Sequence, residues 1–84
     1  MQDHYSLLYT IFEIVKNDPQ PERYSCRPRE LILRRLQEWS IIHQQIQQLE
    51  KEELITTEQQ DTLVIRITAA GLEKARREHS NVKS

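Results

Sequence analysis

Over the first fifteen residues the hydrophobic positions recur at helical spacing. With Asp3 as N-cap they predict a helix over about residues 3–16, closed by "NDPQP", whose prolines at 19 and 21 cannot continue it. At 100° per residue, Tyr5, Leu7, Leu8, Tyr9, Ile11, Phe12, Ile14 and Val15 fill an arc of roughly 220°, about twice the width that a one-sided surface helix requires. Two coverings are open for that width. One is the last helix of the same chain, and the other is a twofold partner, a homodimer built on Tyr5, Leu8 and Tyr9.

Residues 17–27 read as a polar, proline-punctuated linker, with "RYS" short enough for a minor strand and Ser25 placed to start the next helix. A second helix is predicted over about 28–38, its apolar side formed by Ile32, Leu33, Leu36 and Trp39 and its polar side by Glu30, Arg34, Gln37 and Glu38; Trp39 falls in the core or at the hinge to the next helix. A third follows over about 40–53, capped by Ser40. Ile42, Ile46 and Leu49 define its buried side, Ser40, Gln44, Gln47, Gln48 and Lys51 lie opposite, and His43, Gln45 and Glu52 take the flanks.

Past Lys51 the period changes. "LIT", "TEQQD" and "TLVIRIT" read as strand, turn and strand, a hairpin over about 54–67 with Leu63, Ile65 and Ile67 on one face and Val64 and Arg66 on the other. Thr68 then caps a last helix over about 69–79, with Ala69, Leu72 and Ala75 as a thin apolar stripe, Lys74, Arg76 and Arg77 in water, and "NVKS" fraying. The order helix, helix, helix, hairpin, helix predicts one α+β domain, mainly α, over residues 1–84.

Composition narrows this reading without changing it. Eighty-four residues suffice for one modest core, and 37% hydrophobic with 30% charged residues suits a folded globular chain. The apolar runs are far too short for a membrane span and the N-terminus lacks a basic leader region, so a cytoplasmic protein without membrane contact is expected. Cys26, the only cysteine, is read as a reduced, structural thiol.

A formal net charge of −1 gives no general mandate for nucleic acid, but the charge is unevenly spread. Residues 21–40 carry five arginines against three acids, while residues 41–62 carry one lysine against five acids. His4, His43 and His79 are too dispersed for a metal site, and with Gly71 as the only glycine there is no phosphate-cradling loop. Glu50, Glu52 and Glu53 read as a water-facing helix end rather than a general acid/base pair. Neither enzymatic activity nor a cofactor or metal is expected.

Three helices followed by a two-stranded hairpin is the layout of a winged helix-turn-helix, whose third helix enters the DNA major groove. The stretch "IQQLEKEELITTEQQDTLVIRITAAGLEKAR" resembles PadR-type and MarR-type regulators and small phage and prophage winged-helix proteins, in which "LeKeGLI", a strand and "LTxxGxexl" follow one another. Leu49, Glu50, Lys51, Glu52, Leu54 and Ile55 match the first part, and Ile67, Thr68, Gly71 and Leu72 the second. Glu53 stands where the family usually has glycine, a position that often needs positive φ.

The resemblance implies double-stranded DNA as partner and transcriptional regulation, in a small prokaryotic or phage protein. Ser40, Gln44, Gln47 and Gln48 would read bases, because a glutamine amide matches adenine N7 and N6 in one bidentate pair. Arg27, Arg29, Arg34, Lys51 and Arg66 would hold phosphates. The tip "TTEQQD" has no cation, so a wing that grips DNA weakly is expected. The alternative is a winged-helix module that binds another protein and not DNA, favoured by the acidity of residues 41–62.

Overall fold

A computed structural model describes residues 4–82. Helix α1 (His4–Val15) is followed by a 3₁₀ turn (Pro21–Arg23), α2 (Pro28–Arg35), α3 (Trp39–Lys51), the strands β1 (Ile55–Gln59) and β2 (Leu63–Ile67), and α4 (Ala69–Val82). This is a winged helix: a three-helix bundle, a hairpin wing and a C-terminal helix. The expected cap Asp3 lies outside the described residues, as do Lys83 and Ser84, whereas Asn81 and Val82, expected to fray, continue α4.

Helix α1 is the hub. Leu7, Leu8, Ile11, Phe12 and Val15 are buried, with Tyr5, Tyr9 and Ile14 packed partly buried around them, and the helix touches α2, α3 and α4. Three neighbours in one chain therefore account for the broad apolar arc. Leu8, expected at a dimer interface, is fully buried in the chain's own core.

In α2 the inward face differs from the one expected. Only Leu31 is buried, whereas Ile32 is 37%, Leu33 68%, Leu36 86% and Trp39 37% exposed. The second inward residue is a cation: the Arg35 guanidinium donates to the Ser6 carbonyl (3.3 Å), the Ser6 hydroxyl (2.8 Å) and the Thr10 hydroxyl (3.1 Å), all on α1. Leu31 and Arg35 are four apart, so they share one helix side, and the aliphatic stripe is left outside. The helix is capped by Arg27 rather than Ser25, with the Glu30 carboxylate accepting the Arg27 N–H (3.2 Å). It ends three residues sooner than expected, at Arg35; Leu36 follows with φ 54°, its N–H donating to the Ile32 carbonyl (2.9 Å), the bond of an αL cap.

The wing pairs Ile55 with Ile67, Thr57 with Ile65 and Gln59 with Leu63, so β1 runs to Gln59 and only residues 60–62 turn. Cys26 adds a one-residue bridge to β2, exchanging bonds of 2.9 and 2.8 Å with Ile65. Burial holds the Cys26 thiol protonated, its pKa pushed up to about 12. Val64, expected on the outer face of the hairpin, is fully buried outside the main core cluster; the 3₁₀ turn packs against its strand.

The two halves of the sequence motif meet in space. Helix α3 closes in a Schellman motif: Leu54 N–H donates to the Leu49 carbonyl (3.0 Å), Glu53 N–H to that of Glu50 (2.9 Å), and Glu53 takes φ 63°. The glutamate thus adopts the left-handed conformation that a glycine would favour. Thr68 then ties α4 to this turn, its hydroxyl donating to the Glu53 carbonyl (2.9 Å) and its N–H to that of Leu54 (3.0 Å). The same hydroxyl accepts Gly71 N–H (3.0 Å) as an N-cap. A Cβ on Gly71 would collide with the Leu54 carbonyl oxygen and come within 2.8 Å of Ile67 Cγ1, so the residue is glycine for close approach.

Candidate nucleic-acid interface

Helix α3 presents the predicted polar face. Ile42, Ile46 and Leu49 are buried, while Ser40, Gln44, Gln47, Gln48 and Lys51 are all exposed on the other side. Glu38, not Ser40, is the N-cap residue, its carbonyl accepting Ile41 and Ile42 N–H (3.1 and 3.2 Å); Ser40 sits in the first turn. Gln45 departs from its expected flank position and is 5% exposed. Its place three residues after Ile42 and one before Ile46 was the signal for burial, against its polar side chain.

Gln44, Gln47, Gln48 and Lys51 line an open concavity together with Ile41, Gln45 and His4. His4 enters from the start of α1, and no local pattern in the sequence brings it to α3. It belongs to a clamp on the C-terminal end of α3. Glu52 accepts a bond from the Tyr5 hydroxyl (2.6 Å) and pairs with His4 Nε2 (2.6 Å), which together hold its carboxyl below the usual carboxylate range. Lys74 of α4 stands 4.3 Å above the Tyr5 ring. Tyr5, expected at a dimer interface, is therefore engaged within the chain.

The five expected phosphate-binding cations fall in three places. Arg29 and Arg34 are exposed on α2, and Lys51 is exposed on the last turn of α3. Arg27 instead donates to the Thr62 hydroxyl at the wing tip (2.6 Å). Arg66 pairs with Glu58 across the hairpin (2.9 Å) and reaches the Ser25 hydroxyl (3.4 Å), so it is tied into the wing. The tip residues Gln59, Gln60, Asp61 and Thr62 are exposed.

Among the described residues no three His, Cys, Asp or Glu side chains come together as metal ligands, and no helix is long and apolar enough to cross a membrane. Neither a protein-family model nor a curated protein matches the chain. Among solved structures it is similar to the crystal structure of a probable transcriptional regulator from Pseudomonas aeruginosa, with a TM-score of 0.64 and 17% identity, over 92% of this chain and 58% of that one. The chain thus spans less than two thirds of that protein's length, and at this identity the likeness is one of fold.

Proposed function

We propose that this chain binds double-stranded DNA in a sequence-dependent manner, as a small prokaryotic or phage transcriptional regulator of the PadR or MarR-like winged-helix type. The observation that carries this reading is the single exposed face of α3 on which Ser40, Gln44, Gln47, Gln48 and Lys51 stand together, on the helix that a winged helix lays in the major groove. The regulator from Pseudomonas aeruginosa, similar in fold, supports it.

In this mechanism the protein binds and performs no chemistry. The glutamine amides pair with adenine edges, each good bidentate pair giving roughly 1–3 kcal/mol of discrimination. Arg34, Lys51 and Arg29 neutralise phosphates, fix the register of α3 and make affinity fall steeply with salt. Arg27 and Arg66 act through the wing they hold together, and the wing adds little affinity of its own. The clamp of Tyr5 and His4 on Glu52 keeps the end of α3 fixed while its face is presented.

Selection of bound sequences from a random duplex library tests the assignment. Gln44→Ala and Gln48→Ala should flatten sequence preference at separate positions, whereas Arg34→Ala should weaken every sequence alike. Uniform losses from all three variants would remove α3 from the reading role.

A further inference from the structure

His4 has a place in the α3 interface that its part in the clamp does not use up. It lines the same concavity as Gln44, Gln47, Gln48 and Lys51, and 26% of its side chain stays exposed, so a ligand that docks on this face can touch it. Its two ring nitrogens are differently engaged. Nε2 pairs with the Glu52 carboxylate (2.6 Å), and an ionised carboxylate only accepts, so Nε2 carries a hydrogen. Nδ1 has no hydrogen-bond partner among the described residues. A second proton on the ring therefore goes to Nδ1, and histidine is the side chain whose ordinary titration lies between about pH 5 and 8.

The surrounding charges decide what that proton does. On α3, Lys51 lines the concavity and Glu52 follows it, so a phosphate near this end of the helix meets one cation beside one anion while His4 is neutral. On α1, the Tyr5 ring lies 4.2 Å from the imidazole, and on α4 Lys74 stands over that ring (4.3 Å). Glu52 favours a charged His4 and Lys74 opposes it. A DNA phosphate brings a further anion and turns the balance toward the charged ring. Protonation then gives this end of α3 a net positive charge and a new N–H donor for a phosphate oxygen.

We propose that His4 is a phosphate ligand in its protonated form, so that docking of α3 on DNA takes up a proton from the buffer at Nδ1. The proposal rests on the DNA-binding reading of α3 and adds to it a residue of another helix and a dependence on pH. By linkage, a proton bound together with DNA makes DNA affinity highest where the ring is protonated and lowers it as the pH rises. Glu52 does not supply this dependence. Its carboxyl, held below the usual carboxylate range first by the Tyr5 hydroxyl and then by His4, stays charged at neutral pH and in mild acid.

Anisotropy titrations of a labelled random duplex of about 30 base pairs, run as salt series at about pH 6 and about pH 8, test it. The slope of log Kd against log salt should be steeper by about 0.9 at the lower pH, the equivalent of one more neutralised phosphate. At low salt Kd should be about fivefold lower there than at the higher pH. His4→Gln keeps an amide that can donate to Glu52 but takes no proton in this range, and it should give the shallower slope at both pH values. His43→Gln, on the flank of α3, should keep the difference. Thermal melts confirm that each variant is folded. Equal slopes in a parent that binds DNA overturn this proposal alone, as does a pH difference that survives His4→Gln. Absence of binding at either pH contradicts the DNA-binding reading and takes this proposal with it.

Discussion

Helices α2 and α3 are neighbours of similar appearance in the sequence, each with an apolar and a polar side, yet the bundle uses them in opposite ways. Helix α3 buries Ile42, Ile46 and Leu49 and turns most of its amides to water. Helix α2 buries one leucine, holds on through the hydrogen bonds of Arg35, and turns Ile32, Leu33 and Leu36 outward. Periodicity shows which residues share a helix side, but the bundle decides which side is covered. In α3 three aliphatic positions line up along thirteen residues, and nothing competes with their burial. In the eight residues of α2 an aliphatic stripe competes with a Leu–Arg side whose arginine finds three acceptors on α1, and the arginine side is covered.

The largest expected effect separates the two leucine classes of α2. Leu31→Ala should cost about 2–5 kcal/mol in urea unfolding, while Leu33→Ala should stay within about 0.5 kcal/mol. Equal costs would return the stripe to the core and erase the contrast with α3.

Next in size, Arg35→Ala should cost about 1–3 kcal/mol, because it removes the three charge-assisted hydrogen bonds that attach α2 to Ser6 and Thr10 of α1. An unchanged unfolding midpoint would make Leu31 the sole anchor.

Both helices end on a left-handed residue that is not glycine, and here they should behave alike. Leu36→Gly and Glu53→Gly should each stabilise by up to about 1 kcal/mol, the relief of αL strain exceeding the entropy cost of glycine. Loss of stability in either variant would mean that its side chain contributes more than the strain costs.

The smallest effect concerns acid. Glu52, at the end of α3, has a folded pKa lowered first by the Tyr5 hydroxyl and then by His4. Its contribution to stability is complete above the ordinary carboxylate range and is lost as the pH falls through the depressed folded value. NMR titration should show the Glu52 pKa rising toward its ordinary value in Tyr5→Phe.

Much of the fold was legible because it rests on local signals. The hairpin follows from alternation, the end of α3 from the motif around Glu53, and the start of α4 from Thr68; that Thr68 and Gly71 dock on Leu54 is a contact the order of the motifs did not give. The glutamine face of α3 followed from spacing alone, apart from Gln45, whose polarity argued against a position that the helix period turns inward. What escaped was long-range. The reach of Arg35 to Ser6 spans 29 residues and that of His4 to Glu52 spans 48, and neither leaves a trace in a window of helical length. The outward turn of α2 escaped for the same reason, since its cause lies on α1.

That α3 serves DNA rather than a protein partner is the central claim, and titration of a labelled random duplex of about 30 base pairs at low and near-physiological salt tests it most directly. Binding with a Kd of about 10⁻⁴–10⁻⁶ M at physiological salt, tighter at low salt and lost steeply as salt rises, is the expected result. No binding even at low salt would contradict the claim and assign the exposed glutamines to a protein-binding surface.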